Sequence, residues 1–294
     1  MSGAYLLLFV ANLVFATSYS VTRVALADVP PATLGLARSV VGAVILVAWA
    51  APGLIARRIR PADQLRIALM GLVGFALAFG FSHWGIARST ASNAALLITV
   101  EPTSLILLSP LLLGERLSRR EALGAGLALA GTVVVVVNGV PGLTRAFAPH
   151  WRGDLLLILS GLAYAAYSLL GRTVLARHPV VVVTAYSILW GTATLLPLAA
   201  IEWSAGQRPV WTASAVTATL YLGVVITALG YAAWNWCLER VGASRVAIFV
   251  NLQPLVGALL GVWWLHEPLT AFTVVGGLLI LAGLHLTVKA GRTE

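Results

Sequence analysis

Two polar residues stand directly before prolines inside long apolar runs of the sequence. Glu101 precedes Pro102, and Gln253 precedes Pro254 at an offset of 152 residues. A carboxyl group within an apolar helix is costly and indicates function by default, because it can carry a proton or pair with a cation. A proline lacks the backbone N–H, so the carbonyl four residues earlier loses its helical partner. Each pair therefore predicts a helix that is interrupted near a polar group.

The chemistry open to the two pairs differs. A protonated Glu101 could bond to the backbone that Pro102 frees, and an ionised one could hold an ammonium group or accept a proton. The alternative is a neutral, structural Glu101 that links helices. Gln253 donates and accepts hydrogen bonds but does not titrate, so any proton chemistry is expected in one half of the chain. We expect Pro102 and Pro254 to act as gating kinks rather than as packing irregularities.

The composition indicates that the bilayer is the solvent for most of the chain. The 294 residues are 60% hydrophobic and 10% charged, whereas a soluble domain has about 25% charged residues. The net charge of +9 could suggest nucleic acid as a partner. The arginines, however, lie in short gaps between apolar runs, where they orient a membrane protein. We therefore expect the lipid bilayer, and no nucleic acid, as a partner.

Ten apolar runs are each long enough for a membrane-spanning helix of about 20 residues. They cover residues 4–26, 31–55, 64–84, 91–113, 119–138, 152–174, 179–202, 212–236, 243–265 and 270–288. The gaps between them are mostly short and rich in proline and glycine, which predicts antiparallel neighbours. The sequence thus predicts an all-α integral membrane protein. Thirteen Lys or Arg fall on one side and five on the other, which favours both termini in the cytoplasm.

An internal repeat relates the two halves of the chain. Residues 71–131 align with residues 223–283 without a gap, and 20 of the 61 positions are identical. The start of each half matches at an offset of 149 residues. Each half would hold five helices, an odd number, so the halves should enter the membrane from opposite sides and share a site between them. We expect two inverted five-helix repeats, 1–140 and 150–294, within one membrane domain.

The repeat, the prolines of the fourth and ninth helices, and two closing turns together resemble a known family. The turns are G-E-R-L-S at 114–118 and H-E-P-L-T at 266–270. The chain is similar over its whole length to the EamA-type branch of the drug/metabolite transporter superfamily. Within that branch it is most like the bacterial inner-membrane exporters of aromatic and other amino acids. The resemblance implies efflux of small metabolites by alternating access, through a cavity between the halves.

Aromatic and polar side chains share helix faces in a way that suits such a cavity. Phe15 and Tyr19 are four residues apart and share a face with Asn12, and Phe79 shares one with His83. Rings beside polar atoms suit an amphipathic solute better than lipid, with aromatic packing between helices as the alternative. The predicted cavity lining is Glu101, Gln253, Phe15, Tyr19, Phe79, His83, Tyr164, Tyr231, Asn12, Asn93 and Asn251.

The sequence is compatible with more than one role for several polar residues of these helices. His83 could gate, bind or sense pH, or be a hydrogen-bonded histidine at the membrane interface. Arg38 lies about 10 Å inside the second helix. It could extend to the surface, pair with an acid, or bind the carboxylate of a substrate. Asn93 and Asn251 could serve the polar end of a substrate or link helices.

The functional class favoured by these features is a transporter rather than an enzyme. The ATP-binding pattern G-x-x-x-x-G-K-[ST] does not occur, so a gradient is the expected driving force. A membrane enzyme would need a cluster of His, Asp and Glu at one surface, and the five histidines are scattered. We expect no catalytic residue, no metal and no cofactor, and a monomer, with a dimer possible but not required. The alternative cargoes are nucleotide sugars, phosphorylated sugars and cationic drugs.

Overall fold

The structure is a computed structural model, and it describes residues 3–56, 59–113, 118–138, 150–233, 249 and 252–290. Within these ranges the chain is helical and contains no β-strand. The helices, in chain order, are α1 Gly3–Ala25, α2 Pro31–Ala56, α3 Pro61–Arg88, α4 Ala91–Leu97 with Val100–Leu113, α5 Arg119–Val137, α6 Trp151–Leu175, α7 Val180–Ser204, α8 Ala213–Ala233, α9 Leu252–Trp264 and α10 Ala271–Ala290.

Eight helices of the described ranges, α1 to α8, are long and apolar enough to cross a membrane. The last two supply the shorter apolar helices Leu252–Trp264 and Ala271–Thr287. Large apolar side chains such as Val44, Leu123 and Trp263 are more than half exposed, as lipid-facing residues of a membrane bundle are. The predicted all-α membrane architecture is therefore confirmed, while the count of ten spans and the side of the termini stay predictions.

The fourth helix is interrupted at Ile98 and Thr99, just before Pro102. In a continuous helix the Ile98 carbonyl would accept from residue 102, which as proline has no N–H. It accepts instead from the Glu101 N–H at 3.0 Å. The Thr99 hydroxyl donates to the Leu96 carbonyl at 2.7 Å. The interruption thus lies one turn before the proline and places Glu101 in the first turn of the second segment.

Two stretches of π-helix occur at corresponding positions of the two halves. They are Gly71–Leu77 in α3 and Tyr221–Gly230 in α8, and residues 71–77 fall on residues 223–229 at the offset of 152. A π-helical stretch changes the face on which the following side chains emerge. In α3 it precedes Phe79, and in α8 it precedes Tyr231. The hydrophobic pattern of the sequence did not predict either stretch.

The helices of the two halves pack in matched pairs. The α1–α8 contact corresponds to the α6–α3 contact, and the α1–α9 contact corresponds to the α6–α4 contact. The pairs α2–α7, α4–α9 and α5–α10 each join a helix to its own counterpart. This is the contact pattern that a two-fold relation between the halves would produce.

Glycines allow α5 and α10 to pack at backbone distance. A Cβ atom on Gly124 would lie 2.6 Å from the Gly283 carbonyl oxygen, and one on Gly131 would lie 2.5 Å from that of Gly276. Gly124 matches Gly276 and Gly131 matches Gly283 at the offset of 152. The two contacts are therefore counterparts of each other, and neither leaves room for a larger residue.

Candidate functional site

A cavity of about 360 Å³ is lined by side chains from α1, α2, α3, α4, α6, α8 and α9. Its volume lies within the range of small-molecule sites, roughly 300–1,000 Å³. Eight of the residues predicted from the sequence line it: Phe15, Tyr19, Phe79, His83, Glu101, Tyr164, Tyr231 and Gln253. Pro102 and Pro254 also line it. The cavity therefore lies between helices of both halves.

Four of the lining rings form two matched edge-to-face pairs. The ring centroids of Phe15 and Tyr231 are 6.1 Å apart with planes at 78°. Those of Phe79 and Tyr164 are 6.3 Å apart with planes at 62°. The pairs are counterparts, because Phe15 matches Tyr164 at the offset of 149 and Phe79 matches Tyr231 at the offset of 152. Each half of the chain thus contributes equally to the aromatic walls.

Glu101 is the one carboxyl group among the described residues of the cavity lining. Its Oε1 accepts a hydrogen bond of 3.2 Å from the Ser168 hydroxyl. It forms no ion pair with a basic residue in the part of the chain that the structure describes. A half-buried carboxyl with one neutral partner can take up a proton or attract a cation that enters the cavity.

Gln253 is held by a different arrangement from its counterpart Glu101. Its Nε2 donates to Oδ1 of Asn12 at 2.8 Å, and Nδ2 of Asn12 donates to the Leu8 carbonyl at 2.8 Å. Asn12 is fully buried and is not among the lining residues. It therefore orients Gln253 from behind the cavity wall.

Arg38 lines the cavity from α2 and has only neutral described partners. Its Nη2 donates to Oγ1 of Thr227 at 3.1 Å, and its Nη1 lies 3.5 Å from Nε2 of His83. Its guanidinium carbon lies 4.4 Å from the centroid of the Phe79 ring. The residue is 6% exposed, and its Nε is buried without a hydrogen-bond partner. Arg38 thus does not extend to the membrane surface.

His83 is a buried partner of Arg38 rather than an interfacial residue. Its exposed fraction is 1%, and its Nδ1 lies 3.1 Å from the Pro31 carbonyl oxygen. A carbonyl oxygen only accepts, so this contact assigns the hydrogen to Nδ1 and leaves Nε2 as an acceptor. The lone pair of Nε2 therefore faces the Arg38 guanidinium.

Of the predicted lining residues that the structure describes, Asn12 and Asn93 do not line the cavity. Asn93 instead donates to Oδ1 of Asp154 at 3.0 Å, within a buried polar cluster that includes Ser89 and His150. Asn251 lies outside the described residues. The prediction omitted Ser168 from the lining, although it is four residues from Tyr164 and so shares its helix face.

Two carboxylates, one buried and one half-buried, join the two halves at the end of the bundle where α1 finishes and α2 begins, here called the α1–α2 end. Glu202 of α7 accepts from the backbone N–H groups of Ala32 and Thr33 at 2.8 and 2.9 Å. Glu267, after α9, accepts from the N–H of Ala91 at 2.6 Å. Each carboxylate satisfies first-turn donors of a helix in the other half, where the helix dipole also favours negative charge.

A smaller ionic contact joins the halves at the opposite, α2–α3 end. Asp63 in the first turn of α3 lies 3.1 Å from Nε2 of His178 and 3.5 Å from Nη1 of Arg177. Both basic residues stand between α6 and α7. Polar contacts across the halves therefore occur at both ends of the described bundle.

An all-helical membrane bundle with a cavity of small-molecule size between two matched halves is the architecture of a membrane carrier. The chain belongs to the EamA-like transporter family, whose profile matches residues 2–137 and 151–289. The resemblance seen in the sequence is therefore confirmed, and the protein is a multi-pass membrane transporter.

Similar proteins agree with this assignment over more than nine-tenths of their lengths. An "Uncharacterized transporter" of Archaeoglobus fulgidus is 30% identical over 287 residues, with 97% of each chain covered. A "Probable terminal-alkyne amino-acid exporter" of Streptantibioticus cattleyicolor is also 30% identical over 287 residues, which cover 97% of this chain and 93% of the relative. A solved crystal structure that is 24% identical superposes with a TM-score of 0.68 and covers 100% of this chain and 99% of its own. That structure supports the fold.

Proposed function

We propose that this transporter exports amino acids, aromatic and other neutral ones, across the bacterial inner membrane. The observation that carries the proposal is the composition of the cavity, in which aromatic walls surround the carboxyl group of Glu101 and the buried cation Arg38. Rings suit an apolar or aromatic side chain, and opposite charges suit an ammonium and a carboxylate group. The relative named as an amino-acid exporter supports the same substrate class.

Transport would proceed by alternating access between two inverted repeats, residues 1–140 and 150–294. The separate family matches to 2–137 and 151–289 and the matched helix contacts support this division. With both termini in the cytoplasm, the α1–α2 end faces outward. The contacts of Glu202 and Glu267 would then hold the outer end closed, and those of Asp63 would hold the inner end closed. A complete cycle requires each set to open in turn.

Exchange in liposomes tests the substrate class. Purified protein is reconstituted with unlabelled phenylalanine inside, and uptake of labelled phenylalanine is followed with and without a pH gradient. We expect unlabelled neutral amino acids to reduce this uptake by competition. Sugar nucleotides should leave it unchanged. Empty liposomes serve as the control. Failure to exchange any amino acid would contradict the proposed function.

A second cargo class is favoured by one specific observation. Glu101 has no basic partner among the described residues, so it would also suit an organic cation such as a drug. In that case the same liposomes would exchange a lipophilic cation and not an amino acid. Phosphorylated sugars would need several basic groups, and Arg38 is the one arginine among the described lining residues.

A further inference from the structure

We propose that Arg38 binds the carboxylate group of the transported solute, in a site that His83, Thr227 and Phe79 preform. The inference rests on the proposed function in that the solute is taken to be an amino acid. It goes further by naming the residue that selects the acid group and the residues that position it.

The first reason is that Arg38 is a buried cation without a counter-ion. Guanidinium stays protonated and presents five N–H donors. In the part of the chain that the structure describes, these donors meet only the Thr227 hydroxyl and the His83 ring, and the Nε–H meets nothing. A buried charge requires a partner of opposite charge to offset its desolvation. An anion in the cavity would supply it.

The second reason is that both hydrogen-bonding neighbours are oriented as acceptors toward Arg38. The Thr227 hydroxyl donates to the Leu222 carbonyl at 2.8 Å, so its lone pairs face Nη2. The His83 Nδ1–H is directed to the Pro31 carbonyl, so Nε2 faces Nη1. These contacts fix the plane of the guanidinium without neutralising it. A fixed planar fork is the group that recognises a carboxylate with two parallel hydrogen bonds.

The third reason is the position of Arg38 relative to Glu101. Arg38 lies about 10 Å along α2 and Glu101 about 15 Å along α4, both measured from the α1–α2 end. The two depths differ by roughly one helical turn. Both line the same cavity, yet they form no ion pair with each other in the described structure. Two opposite charges kept apart in one cavity match a zwitterion, whose charges are also separate.

Three related ligands test the inference on purified protein. Phenylalanine carries both charges, phenylalaninamide lacks the carboxylate, and 3-phenylpropionate lacks the ammonium. Affinity is measured as the concentration dependence of the thermal unfolding midpoint, which rises when a ligand binds the folded state. For the wild type we expect phenylalanine to bind at least about tenfold more tightly than phenylalaninamide, because a hydrogen bond between charged groups increases affinity by about that factor.

In Arg38→Gln we expect the affinity for phenylalaninamide to be unchanged and that for phenylalanine to fall to the same level. Binding of 3-phenylpropionate should be lost. Arg38→Lys should recover part of the preference, because lysine keeps the charge without the fork. Arg208→Gln, at an exposed arginine, is the matched control and should behave as wild type. Thr227→Val should reduce the preference without changing the affinity for phenylalaninamide, as expected of a positioning residue.

Equal binding of phenylalanine and phenylalaninamide by the wild-type protein would overturn the inference, whatever the stability of the variants. An unchanged preference in folded Arg38→Gln would do the same. If wild-type liposomes exchange no amino acid, the proposed function fails. The role of Arg38 is then decided by 3-phenylpropionate alone. If this ligand binds the wild type and does not bind Arg38→Gln, the result would still support a carboxylate site.

Discussion

The Ser168 hydroxyl donates a hydrogen bond of 3.2 Å to Oε1 of Glu101. This bond joins α6 of the second half to α4 of the first across the cavity wall. The counterpart of Ser168 at the offset of 149 is Tyr19, and the counterpart of Glu101 is Gln253. Gln253 bonds instead to Asn12. The two halves therefore hold their central polar residues by different contacts, and substitutions at the two positions should have different effects.

Replacing Glu101 with Gln removes the one carboxyl group of the described cavity lining and keeps the shape of the side chain. We expect the exchange rate of phenylalanine in liposomes to fall at least about tenfold, since a charge-assisted hydrogen bond to the ammonium would be lost. Any dependence of transport on a pH gradient should disappear with it. The matched change Gln253→Glu should have a smaller effect. Wild-type rates in folded Glu101→Gln would assign Glu101 a structural role.

Replacing Phe15 with Leu should alter the selectivity of transport. The change removes one ring of the pair that Phe15 forms with Tyr231, and such pairs are worth about 0.5–1.5 kcal/mol. We expect exchange of phenylalanine to decrease relative to exchange of leucine, measured by competition in the same liposomes. Trp263→Leu, at a side chain that is 79% exposed, should leave the ratio unchanged. An equal loss for both substrates would indicate a packing role.

Replacing Glu202 with Ala should destabilise the α1–α2 end. Its carboxylate accepts four hydrogen bonds, from the Ala32 and Thr33 backbones, the Thr33 hydroxyl and the Trp84 indole. Leaving buried donors unpaired costs roughly 1–3 kcal/mol for each group that water does not reach. The thermal unfolding midpoint in detergent should therefore drop clearly below that of Arg208→Gln. An unchanged midpoint would show that water replaces the carboxylate.

Replacing Gly124 with Ala should weaken the α5–α10 contact. The new Cβ would lie 2.6 Å from the Gly283 carbonyl oxygen, and overpacking of this kind costs about 1–3 kcal/mol. Gly126→Ala, two residues along the same helix, is the matched control, because nothing lies within 4 Å of its Cβ position. We expect a lower unfolding midpoint for the first variant and an equal or higher one for the second. The reverse order would contradict close packing at this site.

Much of the helix arrangement could be predicted from the sequence, because a spanning helix must satisfy its own backbone hydrogen bonds and needs a long apolar run. The predicted run at 64–84 is longer in the structure, since Pro61 suits the first helical position and α3 starts there. The interruption in α4 follows from the missing N–H of Pro102. The π-helical stretches could not be predicted, because they change the helix geometry without a strong residue preference.

The site could be predicted only as a set of helix faces. Helical spacing placed Phe15 and Tyr19 on one face, and both line the cavity. The partners of individual polar groups depend on contacts between distant helices, which spacing does not reveal. Thus the sequence is compatible with several roles for His83, because its contact with Arg38 appears only in three dimensions. The separation of Asn93 from the cavity has the same origin.

Four rings of the cavity are duplicated between the halves, but its charges are not. Arg38 and Glu101 both belong to the first half, and their counterparts Ser187 and Gln253 are neutral. If an amino acid bound between them reversed its orientation, its two charged groups would have no oppositely charged partners. Its head group would stay attached to the same half while the opening moves from one membrane face to the other. The solute would then enter and leave with the same end leading, so the charged group nearest the opening would differ between loading and unloading.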